Sequence, residues 1–380
     1  MRILVLTYEY PPIGGGGGMA ALEISRGLAQ RGHEIHVLTA SFHDLPPQEE
    51  KDGVQIFRLP TARRSAFKAG LLAMAGYVIG GSFGGLRHLH RWRPDLIHVH
   101  FAVPSGPVGW LLSRLNKIPY VLTAHLGDVP GGVPEKTARW FRWIYPFTPP
   151  IWKGASQVIA VSEFTRQLAL KHYSVDIQVI PNAVDLNSLD PGLIQVNRPP
   201  TIVFAGRFMP QKNPLLLVHT LAELANLDWR CVMLGDGPLY PAVQEEVIRY
   251  GLQDRIRLPG WVNPEQVIKE FRQGDLLFMP SNSEGLPVVG VQALALGLAI
   301  VASRVGGFVD LVVDSKNGYL VEPGNGSEFK RHLEQLIRDP ERLQQFRTYS
   351  RQKAREFDID LVTTAYDKVF DKVLASNPVR

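Results

Sequence analysis

Glu284 stands in the run Ser281-Asn-Ser-Glu-Gly-Leu-Pro-Val-Val-Gly-Val-Gln-Ala-Leu-Ala-Leu-Gly297. Its carboxylate precedes a segment whose only breaker between Val288 and Leu296 is Gly290. Pro287 fits the first position of a helix, where a missing N–H costs nothing. The unpaired N–H groups and positive dipole end of that helix would then face Glu284 and Gly285, a cradle for anions and hydroxyls. A second pair of chemical interest lies in Phe204-Ala-Gly-Arg-Phe-Met-Pro-Gln-Lys-Asn213, where Arg207 and Lys212 fall five residues apart between a strand and a helix. Two such cations suit a pyrophosphate and the charge that develops on a departing nucleoside diphosphate. No Asp-x-Asp beside them suggests a divalent metal, so neither a metal nor a cofactor is expected.

In the N-terminal half, Leu122-Thr-Ala-His-Leu-Gly-Asp128 follows a strand and presents His125 and Asp128. A lone histidine is usually structural, and Asp128 has a rival role as a cap of the next turn. Pro11-Pro-Ile-Gly-Gly-Gly-Gly-Gly18 follows the first strand, and its glycines let a phosphate or sugar approach the backbone. A dinucleotide site is the competing reading. Against it, the second strand ends in Thr-Ala-Ser where a ribose-binding acid is required. A plain flexible loop is the other alternative.

These residues need an edge of parallel sheet to gather them, and the pattern supplies one. Strands and helices alternate from Ile3–Thr7 to Glu163–Lys171, and again from Thr201–Ala205 to Ile300–Ala302. Between the two series, Leu186–Pro200 carries turn chemistry without periodicity. The reading is α/β, with two doubly wound Rossmann-like domains facing a central cleft. Residues 1–190 form the first domain, 198–358 the second, and 359–380 a final amphipathic helix. A chain of 380 residues, 45% apolar, can fill two such cores.

In order and spacing, these segments resemble family 4 of the retaining glycosyltransferases with the GT-B fold, whose hallmark is a Glu, seven residues, then a second Glu. Val161-Ser-Glu-Phe-Thr-Arg166, Ile180-Pro-Asn-Ala-Val-Asp185, Gly235-Asp-Gly-Pro238 and Arg257-Leu-Pro-Gly-Trp261 extend the resemblance over nearly the whole chain. It implies a last helix crossing back onto the first domain and a nucleotide sugar as co-substrate, with UDP-glucose the first expectation. By the same resemblance Gly17 and Gly18 lie over the donor phosphates, His125 and Asp128 contact the donor sugar, and Arg207 and Lys212 hold the diphosphate. Gly235 belongs to the donor site, main-chain groups around Leu258 meet the base, and Glu284, Gly285, Leu286, Pro287 and Val288 hold the hexose. Catalysis would rest on His125, Glu284, Arg207 and Lys212. The chain departs from the pattern at Gln292, which replaces the second, ribose-binding Glu and keeps an acceptor oxygen without the charge. Pro287 departs too, standing where Gly is frequent. A catalytically silent nucleotide-sugar-binding protein, or an isomerase or phosphorylase on the same fold, are the rivals.

The acceptor is read as a saccharide or lipid-linked saccharide. No Asp or Glu occurs from Gly53 through Pro94, while Arg58, Arg63, Arg64, Lys68, Arg87, Arg91 and Arg93 do. This basic face points to an anionic membrane surface. Nucleic acid is not expected, because no reading helix or compact basic motif accompanies the charge. The uncharged run Ala69–Leu86 contains six glycines and reads as a buried helix with a mobile, glycine-rich end, not a membrane span. Lys136–Tyr145 is read either as an interfacial helix with Trp140, Trp143, Ile144 and Phe147 on lipid, or as a helix packing those aromatics inward. A single cysteine, Cys231, and an N-terminal apolar run too short for a secretory signal point to the cytoplasm, with peripheral contact on the inner face of the plasma membrane.

Overall fold

The computed structural model describes residues 1–61, 63, 70–134 and 141–377. The chain forms two units: Met1–Ala183 with Ile359–Arg380, and Val184–Asp358. Each is a wholly or mainly parallel sheet flanked by helices.

In the first unit the strands are β1 (Arg2–Leu6), β2 (Glu34–Ala40), β3 (Gln48–Lys51), β4 (Val54–Leu59), β5 (Leu96–His100), β6 (Tyr120–Ala124), β7 (Gln157–Ala160) and β8 (Ile177–Val179). Their order is β3-β4-β2-β1-β5-β6-β7-β8, and only β3 runs antiparallel. The central strands are buried on both faces, which is why Ile3-Leu-Val-Leu6 reads as unbroken apolar sequence. Alternate residues feed two cores. Leu4, Leu6, Ile97, Val99 and Leu122 meet helices 71–91, 105–116 and 149–154. Ile3, Val5, Ile24, Leu28 and Val121 meet Val362, Tyr366 and Phe370 of the final helix, Ile359–Ser376. Gly27 is required there, since a Cβ would lie 2.6 Å from the Thr363 methyl.

The second unit has β9 (Thr201–Ala205), β10 (Arg230–Leu234), β11 (Ile256–Gly260), β12 (Leu276–Met279), β13 (Ala299–Ser303) and β14 (Gly318–Val321), ordered β11-β10-β9-β12-β13-β14. Residues 186–200, read from the sequence as a linker, are anchored to this unit. Buried Asp275 accepts from the Asn197 and Thr201 N–H groups and pairs with Arg347, while Arg351 donates to the carbonyls of Leu186 and Ala295.

One local expectation is corrected, and a second is met only in part by the described residues. The helix expected within Ala69–Leu86 spans Leu71–Arg91 and is buried on one side only: Gly81, Gly84 and Gly85 pack closely, while Leu71, Leu72, Ile79 and Phe83 are exposed. A Cβ on Gly84 or Gly85 would come within 2.6 Å of Leu59 or Leu112. Of the expected interfacial helix, residues 136–140 lie outside the described residues. Trp143 and Phe147 are exposed and Phe141 is buried.

Candidate functional site

In an open parallel sheet, ligands bind beyond the carboxyl ends of the strands where the strand order reverses. In the second unit that point is between β9 and β12. The loop after β9 carries Arg207 and Lys212, and the loop after β12 carries Ser281 to Pro287. The two loops are laced together: the Asn282 N–H donates to the Gln211 carbonyl at 2.7 Å, the Asn282 amide to the Pro210 carbonyl at 2.8 Å, and the Gln211 amide to the Ser283 carbonyl at 3.0 Å.

Lacing brings the predicted residues together. Lys212 Nζ lies 2.7 Å from Glu284 Oε1 and 2.8 Å from Oε2. The Ser281 hydroxyl donates to Glu284 Oε1 at 2.7 Å. Glu284 is only 3% exposed, so its charge is compensated by these two donors. Arg207, in contrast, is half-buried and forms no ion pair among the described residues. Its guanidinium is available to an anion.

The helix after this loop spans Val288–Ala295 and Pro287 caps it, with an extended ψ of 120°. Pro287 therefore sits one position before the helix, where its carbonyl accepts from Gly290 and Val291. The N–H groups at the start of the helix belong to Val288 and Val289. Leu286 and Val288 are buried, while Gln292 is half-buried with no side-chain hydrogen bond among the described residues. Gly235 holds φ +138° because a Cβ would collide with the Gly206 carbonyl, closing the loop after β10 onto the Arg207 loop. The Leu258 carbonyl accepts from the Tyr240 hydroxyl at 2.9 Å, so one of its main-chain groups is already engaged.

In the first unit the order reverses at β1 and β5. Here the glycine run is corrected: Gly16, Gly17 and Gly18 are not loop but the first turn of the helix Gly16–Gln30, which has no side-chain cap. Its N–H groups are open to an anion. Glu9 Oε2 accepts the Gly15 N–H at 3.0 Å, and a Cβ on Gly18 would lie 3.1 Å from the Glu9 carbonyl. Gly17 lies against Phe101 and His125. The Phe101 and His125 rings stack at 4.4 Å, and a Cβ on Gly17 would come 2.5 Å from the Phe101 ring and 3.5 Å from His125 Nδ1.

His125 is held by its own loop. Its N–H donates to Asp128 Oδ2 at 2.8 Å, and Asp128 Oδ1 accepts the Val103 N–H at 3.1 Å. Asp128, 2% exposed, is thus a clamp between two loops. Burial holds the imidazole of His125 down to about 4, so it is neutral at pH 7. Behind it lie His100 and His98, both also held neutral by burial. His98 bonds Thr123, which bonds Tyr366 of the final helix. Among the described residues no group of three His, Cys, Asp or Glu side chains is placed to hold a metal.

Sequence reasoning missed Ser281, Gln211, Phe101, Gly306 and Gly307. The last two pass under the Glu284 loop: the Gly307 N–H donates to the Gly285 carbonyl, and a Cβ on Gly306 would overlap the Glu284 carbonyl. A glycine doublet in the loop after β13 was the available signal.

Two sheets of this topology, each with its polar residues gathered at a switch point, define a doubly wound α/β protein of two units, and comparison with known proteins makes the class specific. Residues 191–353 match the family model "Glycosyl transferases group 1" and residues 14–188 match "Glycosyltransferase Family 4". The chain is 29% identical to a D-inositol 3-phosphate glycosyltransferase of Xylanimonas cellulosilytica, over 98% of this chain and 95% of that one. Among solved structures it is similar to a sucrose-phosphate synthase from Thermosynechococcus elongatus, with a TM-score of 0.85, 19% identity and coverage of 99% and 100% of the two chains. Anabaena HepE in complex with UDP-glucose has a TM-score of 0.76, 19% identity and coverage of 98% and 100%. The chain belongs to the family 4 glycosyltransferases of the GT-B fold.

Proposed function

We propose that the chain transfers a hexose from a nucleotide sugar, UDP-glucose as the first candidate, to a saccharide or lipid-linked saccharide with retention of anomeric configuration. The observation that carries this reading is the Lys212, Glu284 and Ser281 cluster at the β9/β12 switch point, with Arg207, which forms no ion pair among the described residues, in the same loop as Lys212. In this proposal Arg207 and Lys212 take the diphosphate. As its charge builds, Lys212 turns from Glu284 toward the leaving oxygen, and Glu284 is freed to accept from hexose hydroxyls. The Val288 and Val289 N–H groups add donors at the same edge, and Gln292 accepts from a ribose hydroxyl. Neutral His125, with Phe101 and the glycine turn, is the sugar-contacting group that this reading assigns to the first unit. The bond from C1 to the diphosphate oxygen breaks as the acceptor oxygen attacks the same face, and the departing phosphate takes the acceptor proton. The HepE complex with UDP-glucose supports the choice of donor for a first trial.

A Glu284→Ala variant tests the assignment: loss of transfer by about a hundredfold or more is expected, and full activity would remove Glu284 from the site. Gln292 favours one second reading, a nucleotide-sugar-binding protein without turnover, which would show binding with neither transfer nor hydrolysis.

A further inference from the structure

The helix Leu71–Arg91 has two apolar faces, and one of them is open. Ala73, Tyr77, Gly81, Gly85 and Leu89 are buried, with Gly81 and Gly85 against Val108 and Leu112. On the opposite side, Leu72, Ile79 and Phe83 are 80%, 61% and 74% exposed, with Leu71 beside them at 60%. Large apolar side chains scattered singly are ordinary on a surface, but a stripe along successive turns marks an interaction face. The stripe runs on into Arg87 and Arg91, both exposed, in a segment without a carboxylate from Gly53 to Pro94.

We infer that this helix lies along an anionic lipid surface, with Leu72, Ile79 and Phe83 at the acyl boundary and Arg87 and Arg91 among headgroup phosphates. The charges select the occupant. A second copy of the stripe would bring arginines without intervening carboxylates, whereas an anionic bilayer satisfies the apolar side chains and the guanidiniums together. No helix among the described residues is long and apolar enough to cross a membrane, so the contact is of the kind that lies in the interface.

The face also has a place relative to the chemistry. Tyr77 meets the Tyr8 ring edge-on at 5.8 Å, and the Arg63 guanidinium lies 4.8 Å over that same ring. Tyr8 directly precedes Glu9, which holds the Gly15 N–H at the start of the glycine helix. The lipid-facing helix therefore starts at the edge that carries His125 and Gly17. A saccharide borne on a lipid would be delivered there. That last step rests on the transferase reading, but the lipid contact does not.

The test is co-sedimentation of the full chain with phosphatidylcholine vesicles, with and without phosphatidylglycerol, at low and high salt. Binding is expected only to vesicles containing phosphatidylglycerol and should weaken with salt. The triple change Leu72→Ser, Ile79→Ser, Phe83→Ser and the double change Arg87→Glu, Arg91→Glu should each lower the partition coefficient roughly tenfold or more. Binding of UDP should be unchanged, which separates this proposal from failure of the enzyme reading. Because Cys231 is buried, a Phe83→Cys chain can carry a polarity-sensitive dye at one position, with Leu193→Cys as the control. A blue shift at 83 and none at 193 supports the orientation. Unaltered vesicle binding by the serine variant overturns the inference, as does no binding to anionic vesicles, or a lipid-free dimer that the serine changes convert to monomer.

Discussion

The ammonium of Lys212 grips both oxygens of Glu284, at 2.7 and 2.8 Å, and so ties the loop after β9 to the loop after β12. The two partners differ in depth: the Glu284 side chain is 4% exposed and that of Lys212 17%. Removing the cation strands the deeper charge. Lys212→Met should cost about 2 kcal/mol or more, and Glu284→Gln, which leaves the ammonium partly in water, about 1 kcal/mol. Both should abolish most transfer. Denaturant titrations of the two variants check the order, and equal costs would mean the pair is more solvated than its geometry indicates.

Arg207 has the opposite profile. Half-buried and without an ion pair among the described residues, it supports function more than the fold. Arg207→Ala should leave stability within about 0.5 kcal/mol and weaken UDP binding about tenfold or more. Calorimetric titration alongside a melting curve measures both, and a destabilised variant with unchanged affinity would reverse the assignment.

His125 is neutral by burial, its folded value near 4 lying below the 6.5 of an exposed imidazole. His36, also lowered to about 4, shares the direction. For such groups the unfolded chain binds protons first, so their stabilisation is full above pH 6.5 and drains as pH falls toward 4. Each contributes up to about 1.4 kcal/mol per pH unit in that window. Stability measured from pH 7 to pH 5 should decline, less steeply in His125→Gln. The transfer rate over the same range should lack a step near 6.5 assignable to His125. An imidazole of His125 that titrates near 6.5 by NMR would contradict this.

Gly17 and Gly15 make a matched pair. A methyl at Gly17 would press on Phe101 and through it on His125, whereas a methyl at Gly15 meets nothing within 4 Å. Gly17→Ala should therefore raise the donor KM several-fold with a stability loss of about 1 kcal/mol or more, and Gly15→Ala should do neither. Steady-state kinetics on both variants decides it.

Gln292 has no side-chain hydrogen bond among the described residues, so Gln292→Glu should be close to neutral for stability while tightening nucleotide binding through a charged acceptor. Unchanged or weaker affinity would show that this side chain does not meet the ribose.

How much of this was legible depended on the range of the signal. Parallel strands buried on both faces, such as β1 and β9, announce themselves as apolar runs. The spacing of Arg207, Lys212 and Glu284 likewise survives in the one-dimensional chain. The pairing of Lys212 with Glu284 did not, because it depends on β9 and β12 being neighbours, a fact of strand order across 72 residues. Gly306 and Gly307 were hidden for the same reason. The glycine run misled locally: low helix propensity argued for a loop, but close approach to Glu9 and Phe101 overrode it and made Gly16–Gly18 the first helical turn. In the helix 71–91 the glycines likewise marked tight packing, and its open apolar stripe emerged only once the buried one was known.

The central claim is tested most directly by incubating the chain with UDP-, GDP- and ADP-sugars and a panel of saccharide and lipid-linked acceptors, and reading released nucleotide together with the anomeric configuration of the product by NMR. The account predicts turnover with a UDP-hexose, an α-linked product from an α-linked donor, and loss of both signals in Glu284→Ala. An inverted product, or tight binding of nucleotide sugars with neither transfer nor hydrolysis, would contradict it.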